Sequence, residues 1–502
     1  MDFIHNILTI HKSVCRQSWH AWQILLIAVA FSFSANAQNS STNAQNEFVA
    51  GPIFSKFPLT IGDGWRTEIA GPFFYKQRDD SEKLWALPPF FSHEADSATD
   101  SGKDDFLYPI LTYEYFGTQR RWQFIQLFAT SGGDDPDNSG KHRVTIFPFY
   151  FYQHSTNSEK NYTAFFPFYG TLKDRLFRDE IHFVMFPIYG QTRKHDVTNY
   201  NYVYPFFNLR HGDGMSGWQF WPVVGAEHKV ATYRTNNWGD AETIPGHDHY
   251  FALWPIHFWQ NNGIGTTNRE KVRADLPLYY LDRSPMRDQT TVLWPFFSWI
   301  NDRQNKYREW ELPYPFIVIA RGEGKTTTRF FPLFSRAHNA SKESDFYLWP
   351  LYTFKAVHSD PLDRERTRIL FYLFQNTMDK NTETGKSKRR VDLWPLFVYH
   401  RDFNGDNRLQ IIAPLETFVP DNPDIERNWS PLWSIWRSEN NPQTDSHSQS
   451  LLWNLYRHEK SPDRKEFSFL FGIFQYQSDA AQKKLRLFFI PVINSHRQMA
   501  TK

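Results

Sequence analysis

His247-Asp248-His249 sets two imidazoles at i and i+2. On a strand that spacing projects both rings to one side, where they could share a metal ion. Spacing indicates no third ligand, so an exposed polar loop is the competing account. Two acidic runs, Asp134-Asp135-Pro136-Asp137-Asn138 and Asp402-Phe403-Asn404-Gly405-Asp406, cluster the hard oxygen donors that calcium takes. The candidate ligands there are Asp134, Asp135, Asp137, Asp402 and Asp406. Neither run completes a calcium-loop motif, and a solvated turn is the simpler expectation for each.

Other constellations fail on their frames. Gly322-Glu323-Gly324-Lys325-Thr326 imitates the end of a phosphate-binding loop, but Ile319 stands where the upstream glycine is required and a β-rich run follows. A hairpin turn accounts for it. Gly214-Met215-Ser216-Gly217 lacks the frame of a serine nucleophile elbow. The many carboxylates include no pair that spacing selects for glycoside hydrolysis. Exposed Trp and Tyr could stack on sugars, although large aromatics are mostly buried. No catalytic or cofactor-binding residue is nominated, no cofactor is expected, and the chain reads as a non-enzyme.

The elements that would position these residues form a repeat. Ile146-Phe147-Pro148-Phe149-Tyr150, Phe165-Phe166-Pro167-Phe168-Tyr169 and Met185-Phe186-Pro187-Ile188-Tyr189 share one pattern, which sharpens later to Leu-Trp-Pro at 253–255, 293–295, 348–350 and 393–395. Pro148, Pro167, Pro187, Pro205 and Pro222 are spaced 19, 20, 18 and 17 residues apart. A fixed period means one supersecondary unit used many times. Phe, Tyr, Trp, Val and Ile dominate each core, so each core reads as one strand, with Asn404-Gly405-Asp406 and Gly212-Asp213-Gly214 as hairpin turns between. Trp429 to Trp436 reads as a further strand. The long gap from Pro222 to Pro255 holds either an extra hairpin around Val230 to Arg234 or an extended loop.

The expected fold is all-β, an antiparallel up-and-down meander of about 22–24 short aromatic strands with a repeat of roughly 17–23 residues. Within Val391 to His400, alternation gives a face with Leu393, Pro395, Phe397 and Tyr399 that carries no polar side chain. That face is expected to be hidden from water, with Asp392 on the open side.

An apolar run from Ile24 to Phe33 follows Lys12 and Arg16 and ends in Ala35-Asn36-Ala37. This reads as a signal peptide over 1–37, cleaved before Gln38. A polar segment at 38–50, one repetitive β domain at 51–496 and a tail at 497–502 would follow. The single cysteine, Cys15, would leave with the signal, which excludes thiol chemistry and disulfides from the mature chain. Loss of Lys12, Arg16 and Asp2 takes 56 basic and 54 acidic residues to 54 and 53, a balance with no footprint for nucleic acid.

Export, strand repetition and aromatic content together point to a large outer-membrane-type β-barrel for passage or envelope structure, with lipid or envelope components as partners. The alternative is a soluble periplasmic or surface β-repeat (solenoid, sandwich or propeller-like) that binds, for example, glycan. A polysaccharide-active enzyme ranks third. Proline is the objection to the barrel, because inside a strand it donates nothing to the ladder and orphans a partner carbonyl.

Overall fold

The structure, a computed structural model, describes residues 49–50, 53–133, 140–235, 239–479 and 482–496. The signal segment 1–37 with Cys15 and Ala37, most of the polar segment that follows it, and the tail 497–502 lie outside the described residues. Contacts gather the described residues into one compact unit.

The proline cores are turns, not strands. Lys141–Ile146 and Tyr150–His154 are strands, and Phe147-Pro148-Phe149 connects them. Phe149 N–H donates to Ile146 C=O at 2.7 Å, and the Phe147-Pro148 peptide is cis, as in a turn with proline at its third position. The same arrangement recurs at Phe166-Pro167, Phe186-Pro187, Trp254-Pro255, Trp294-Pro295, Trp349-Pro350 and Trp394-Pro395. Each period of the sequence is therefore a hairpin of two strands, one proline turn and one polar turn. The strands run to about six residues, and 44 of them form one sheet rather than the expected 22–24. Placing proline in the turn also removes the objection that it would break the ladder, because its missing N–H falls where no partner strand needs one.

Pairing is antiparallel between successive strands throughout, as expected for a meander. Among the described residues no pairing joins Val49–Ala50 to Ile490–His496, so the described sheet is an all-β meander that is not closed by strand pairing. The long gap holds an extra hairpin, Thr232–Thr235 with Ala241–Ile244, which forms its own two-stranded sheet. The main sheet resumes across it, Val224–Lys229 pairing with Gly246–Ala252.

Directly paired residues share a face. Glu68, Tyr75, Ala86, Ser92, Asp105 and Thr112 follow one another in one such row. Thr291 and Ser298, then Gln375, Asp392, Val398, Gln410, Arg437, Ser450 and Arg457, lie further along the same face. This inner face is tightly covered: Ala86, Ser92, Asp105 and Asp392 are each 0 % exposed. Apolar packing is local, as where Phe166 and Phe186 lean on Tyr162, Ala164, Leu172 and Phe183. The assignment of faces at 391–399 is thus inverted. Asp392 is buried, while Leu393, Phe397 and Tyr399 on the opposite side are part-exposed. The reason is a partner the pattern did not disclose: Arg390 Nε reaches both oxygens of Asp392 at 3.1 Å.

Trp429 to Trp436 is also not one strand. Pro423–Asn428 and Ser430–Trp433 are short helices, and a strand begins only at Trp436. Asn422 caps the first, accepting from the N–H groups of Asp424 at 2.9 Å and Ile425 at 3.1 Å, with Pro423 at the first helical position.

Candidate functional site

One edge of the sheet is built from the proline turns, and their side chains are bare. Leu253, Trp254 and Ile256 are 58 %, 42 % and 52 % exposed, and Leu293, Trp294, Phe296, Leu348, Trp349 and Leu351 repeat the arrangement. The backbone beneath them is paired from turn to turn. Leu253 N–H donates to Val223 C=O, Trp254 N–H to Pro222 C=O and Leu276 N–H to Ile256 C=O, each at 2.6 Å. Neighbouring turns also touch through their rings, Phe331 with Trp349 at 5.6 Å and Trp349 with Phe371 at 5.7 Å. The opposite edge carries polar turns such as Asp213-Gly214, Arg303 to Lys306 and Glu323-Gly324. Leu176 and Phe177 break that pattern as exposed apolar residues among the polar turns.

The inner face is polar and charged where the two ends of the sheet meet. Arg427, from the capped helix, donates to Asp105 at 2.6 Å and Ser92 at 2.9 Å and pairs with Glu94 and Asp424. Tyr75 Oη donates to Arg427 C=O at 2.8 Å, and Lys103 pairs with Asp424 at 2.7 Å. Beside this network, burial raises the Glu439 carboxyl, but Arg437 and Arg408 outweigh it and hold the group down at about 2. A cavity of about 440 Å³ opens between the helix and the strands, lined by Arg390, His400, Asp402, Arg408, Asp421 and Glu426 among others.

A second polar group occupies the inner face where the main sheet resumes after the inserted hairpin. Glu227 pairs across the ladder with His249, and His247 lies two residues away on the same side. His247 Nε2 is 2.7 Å from Glu227 Oε1, His249 Nδ1 is 3.8 Å from the same oxygen, and the two rings stack at 4.3 Å. Arg210 donates to the other oxygen, Glu227 Oε2, at 2.7 Å. Burial would raise the Glu227 carboxyl, yet Arg210 and His247 leave it below its ordinary value. Asn262 links this group to Glu270, and Glu270 adjoins Asp282, whose carboxyl burial and Glu270 push up to about 6. No protein-family model and no curated protein matches this chain.

The residues singled out by type and spacing are thus separated by the structure. His247 and His249 do share one side, with Glu227 as a third donor that spacing could not supply, because it stands across a strand pair interrupted by the inserted hairpin. Asp402 is spent on its own turn, accepting from Phe403 N–H at 3.0 Å, while its N–H donates to Asp406 C=O at 2.8 Å. Among the described residues no third metal donor joins Asp402 and Asp406. Asp134, Asp135 and Asp137 lie outside the described residues. Within Gly322 to Thr326, Glu323-Gly324 joins the strands Ile317–Gly322 and Lys325–Phe330 in a hairpin, as expected.

Proposed function

We propose that this chain is a non-enzymatic envelope protein that seats its apolar turn edge in a lipid layer, leaving the polar turn edge in water. The observation that carries this reading is the run of exposed apolar turns, most of them built on proline, from Phe90 to Phe489 along one edge. Apolar surface of that extent marks a contact with another apolar phase. Lipid fits for two reasons. The turn backbones bond to one another, so the edge offers few unpaired polar groups to hydrocarbon. Trp and Tyr alternate with Leu, Ile and Phe along it, the mixture that favours a membrane interface.

Strand length argues for an edge seated in lipid over a pore for passage. Six residues rise roughly 20 Å, short of the roughly 9–11 residues of a spanning barrel strand. Export by the 1–37 signal and residence at the outer membrane, with lipid as the partner, belong to the same proposal. Vesicle flotation with untagged protein tests it. Wild-type protein is expected to float with phospholipid vesicles even at high salt. A variant combining Leu253→Glu, Leu293→Glu and Leu348→Glu is expected to stay behind with an unchanged circular dichroism spectrum. Wild-type protein that remains at the bottom of the gradient overturns the proposal.

A further inference from the structure

We propose that Glu227, His247 and His249 bind one divalent transition-metal ion of the zinc class, with two imidazole nitrogens and one carboxylate oxygen as ligands. The argument begins with a proton. Asn262 Nδ2 donates to Glu270 Oε2 at 2.9 Å, which fixes the amide, because a carboxylate only accepts. The other amide atom, Oδ1, therefore faces His249 Nε2 at 2.7 Å, so that Nε2 must carry the ring proton. In the neutral imidazole this leaves Nδ1 as a bare lone pair, 3.8 Å from Glu227 Oε1.

Two acceptors facing each other repel unless something positive lies between them. A proton on His247 Nε2, 2.7 Å from the same oxygen, would satisfy Glu227 but not His249. A metal ion satisfies all three. Bonds of about 2.1 Å in a tetrahedral set place donor atoms roughly 3.4 Å apart, and the observed 2.7 and 3.8 Å bracket that separation. All three donor atoms lie within 4.8 Å of one another, so rotation of the side chains completes the set.

The surroundings are those of a supported ligand set. Asn262 and Glu270 orient His249 from behind, the arrangement by which outer groups fix the tautomer of a metal-binding histidine. Arg210 holds Oε2 and turns Oε1 inward. The ladder is also locally irregular here: Gly246 pairs with Ile264 and His247 with Asn262, which leaves Gly263 as an extra residue at φ +72°. A bulge re-aims side chains, and this one adjoins both a ligand and its supporting amide.

Zinc binding to the untagged full chain, measured by competition with a chromophoric chelator, tests the inference, with cobalt absorption as a readout of geometry. One zinc per chain and a tetrahedral-type cobalt spectrum are expected. His247→Gln and His249→Gln should each remove both signals, and Asn262→Ala should weaken zinc binding about 10- to 100-fold. His228→Gln, whose ring pairs with Asp248 on the opposite face, should leave binding unchanged. Circular dichroism and melting show that each variant is folded, and Asn262→Ala serves if a histidine variant is not. Absence of stoichiometric zinc in the wild type overturns the inference. So does wild-type affinity in the His249→Gln or Asn262→Ala protein.

Discussion

The guanidinium of Arg427 touches Ser92, Glu94, Asp105 and Asp424 at once, and the first three lie more than 320 positions away in sequence. Asp105 is 0 % exposed, so removing the cation leaves a buried carboxylate without its main partner. Arg427→Met is expected to cost about 3–5 kcal/mol, read from the urea midpoint. Glu439 gives a pH signature of the same polar interior. Its carboxyl sits at about 2 in the folded protein against 4.5 ordinarily, so the native state binds fewer protons between those values. The stability it contributes is complete above pH 4.5 and is lost as pH falls toward 2. Melting curves should drop over that window, and Glu439→Gln should be less stable at pH 7 with a flatter acid limb.

Hairpins are the elements of this molecule, and their legibility in the sequence was uneven. The period was readable because each hairpin repeats one apolar-aromatic-Pro core. The strand count was not, because five successive apolar residues imitate a buried strand, and aromatic-proline turns lack the Gly, Asn and Asp that mark turns elsewhere. Asn422-Pro423-Asp424 carried a helix-start signal, a cap followed by proline and an acid, but the regular aromatic spacing around Trp429 and Trp433 masked it. Within the site, the shared side of His247 and His249 was legible from period two. Glu227, Asn262 and Arg427 were not, since each depends on which strand faces which. Close approach between strands adds a further test. A Cβ on Gly170 would lie 2.2 Å from the Ala164 Cα, in a hairpin that packs against Phe166 and Phe183. Gly170→Val should therefore destabilise the protein by about 1–3 kcal/mol in urea unfolding.

At the scale of the whole molecule, the sheet meets itself. Forty-four strands at about 4.8 Å span roughly 210 Å along the sheet, yet residues near its two ends touch. Thr60 Oγ1 donates to Ser448 Oγ at 2.6 Å, Asn454 donates to Glu68 at 2.6 Å, and Arg457 lies 3.3 Å over the Phe57 ring. Glu68 and Arg457 belong to the same row of paired residues, so the contact is inner face against inner face, with the capped helix wedged beside it. A sheet can arrange this only by curling toward that face, so the turn edge must follow a curved path as well. The curl can be read by crosslinking. With Cys15 replaced by serine, a chain carrying Thr60→Cys and Ser448→Cys has two thiols where two hydroxyls now share a hydrogen bond. Mild oxidation should join them, because that contact brings the side chains within disulfide reach. The product closes a loop between residues 388 positions apart and should migrate faster than the reduced form on a denaturing gel. A control pair, Thr60→Cys with Ser298→Cys, places the second thiol on the same face but far along the sheet and should stay reduced. If the first pair resists oxidation as the control does, the ends are apart in solution, and the sheet lies open along its length.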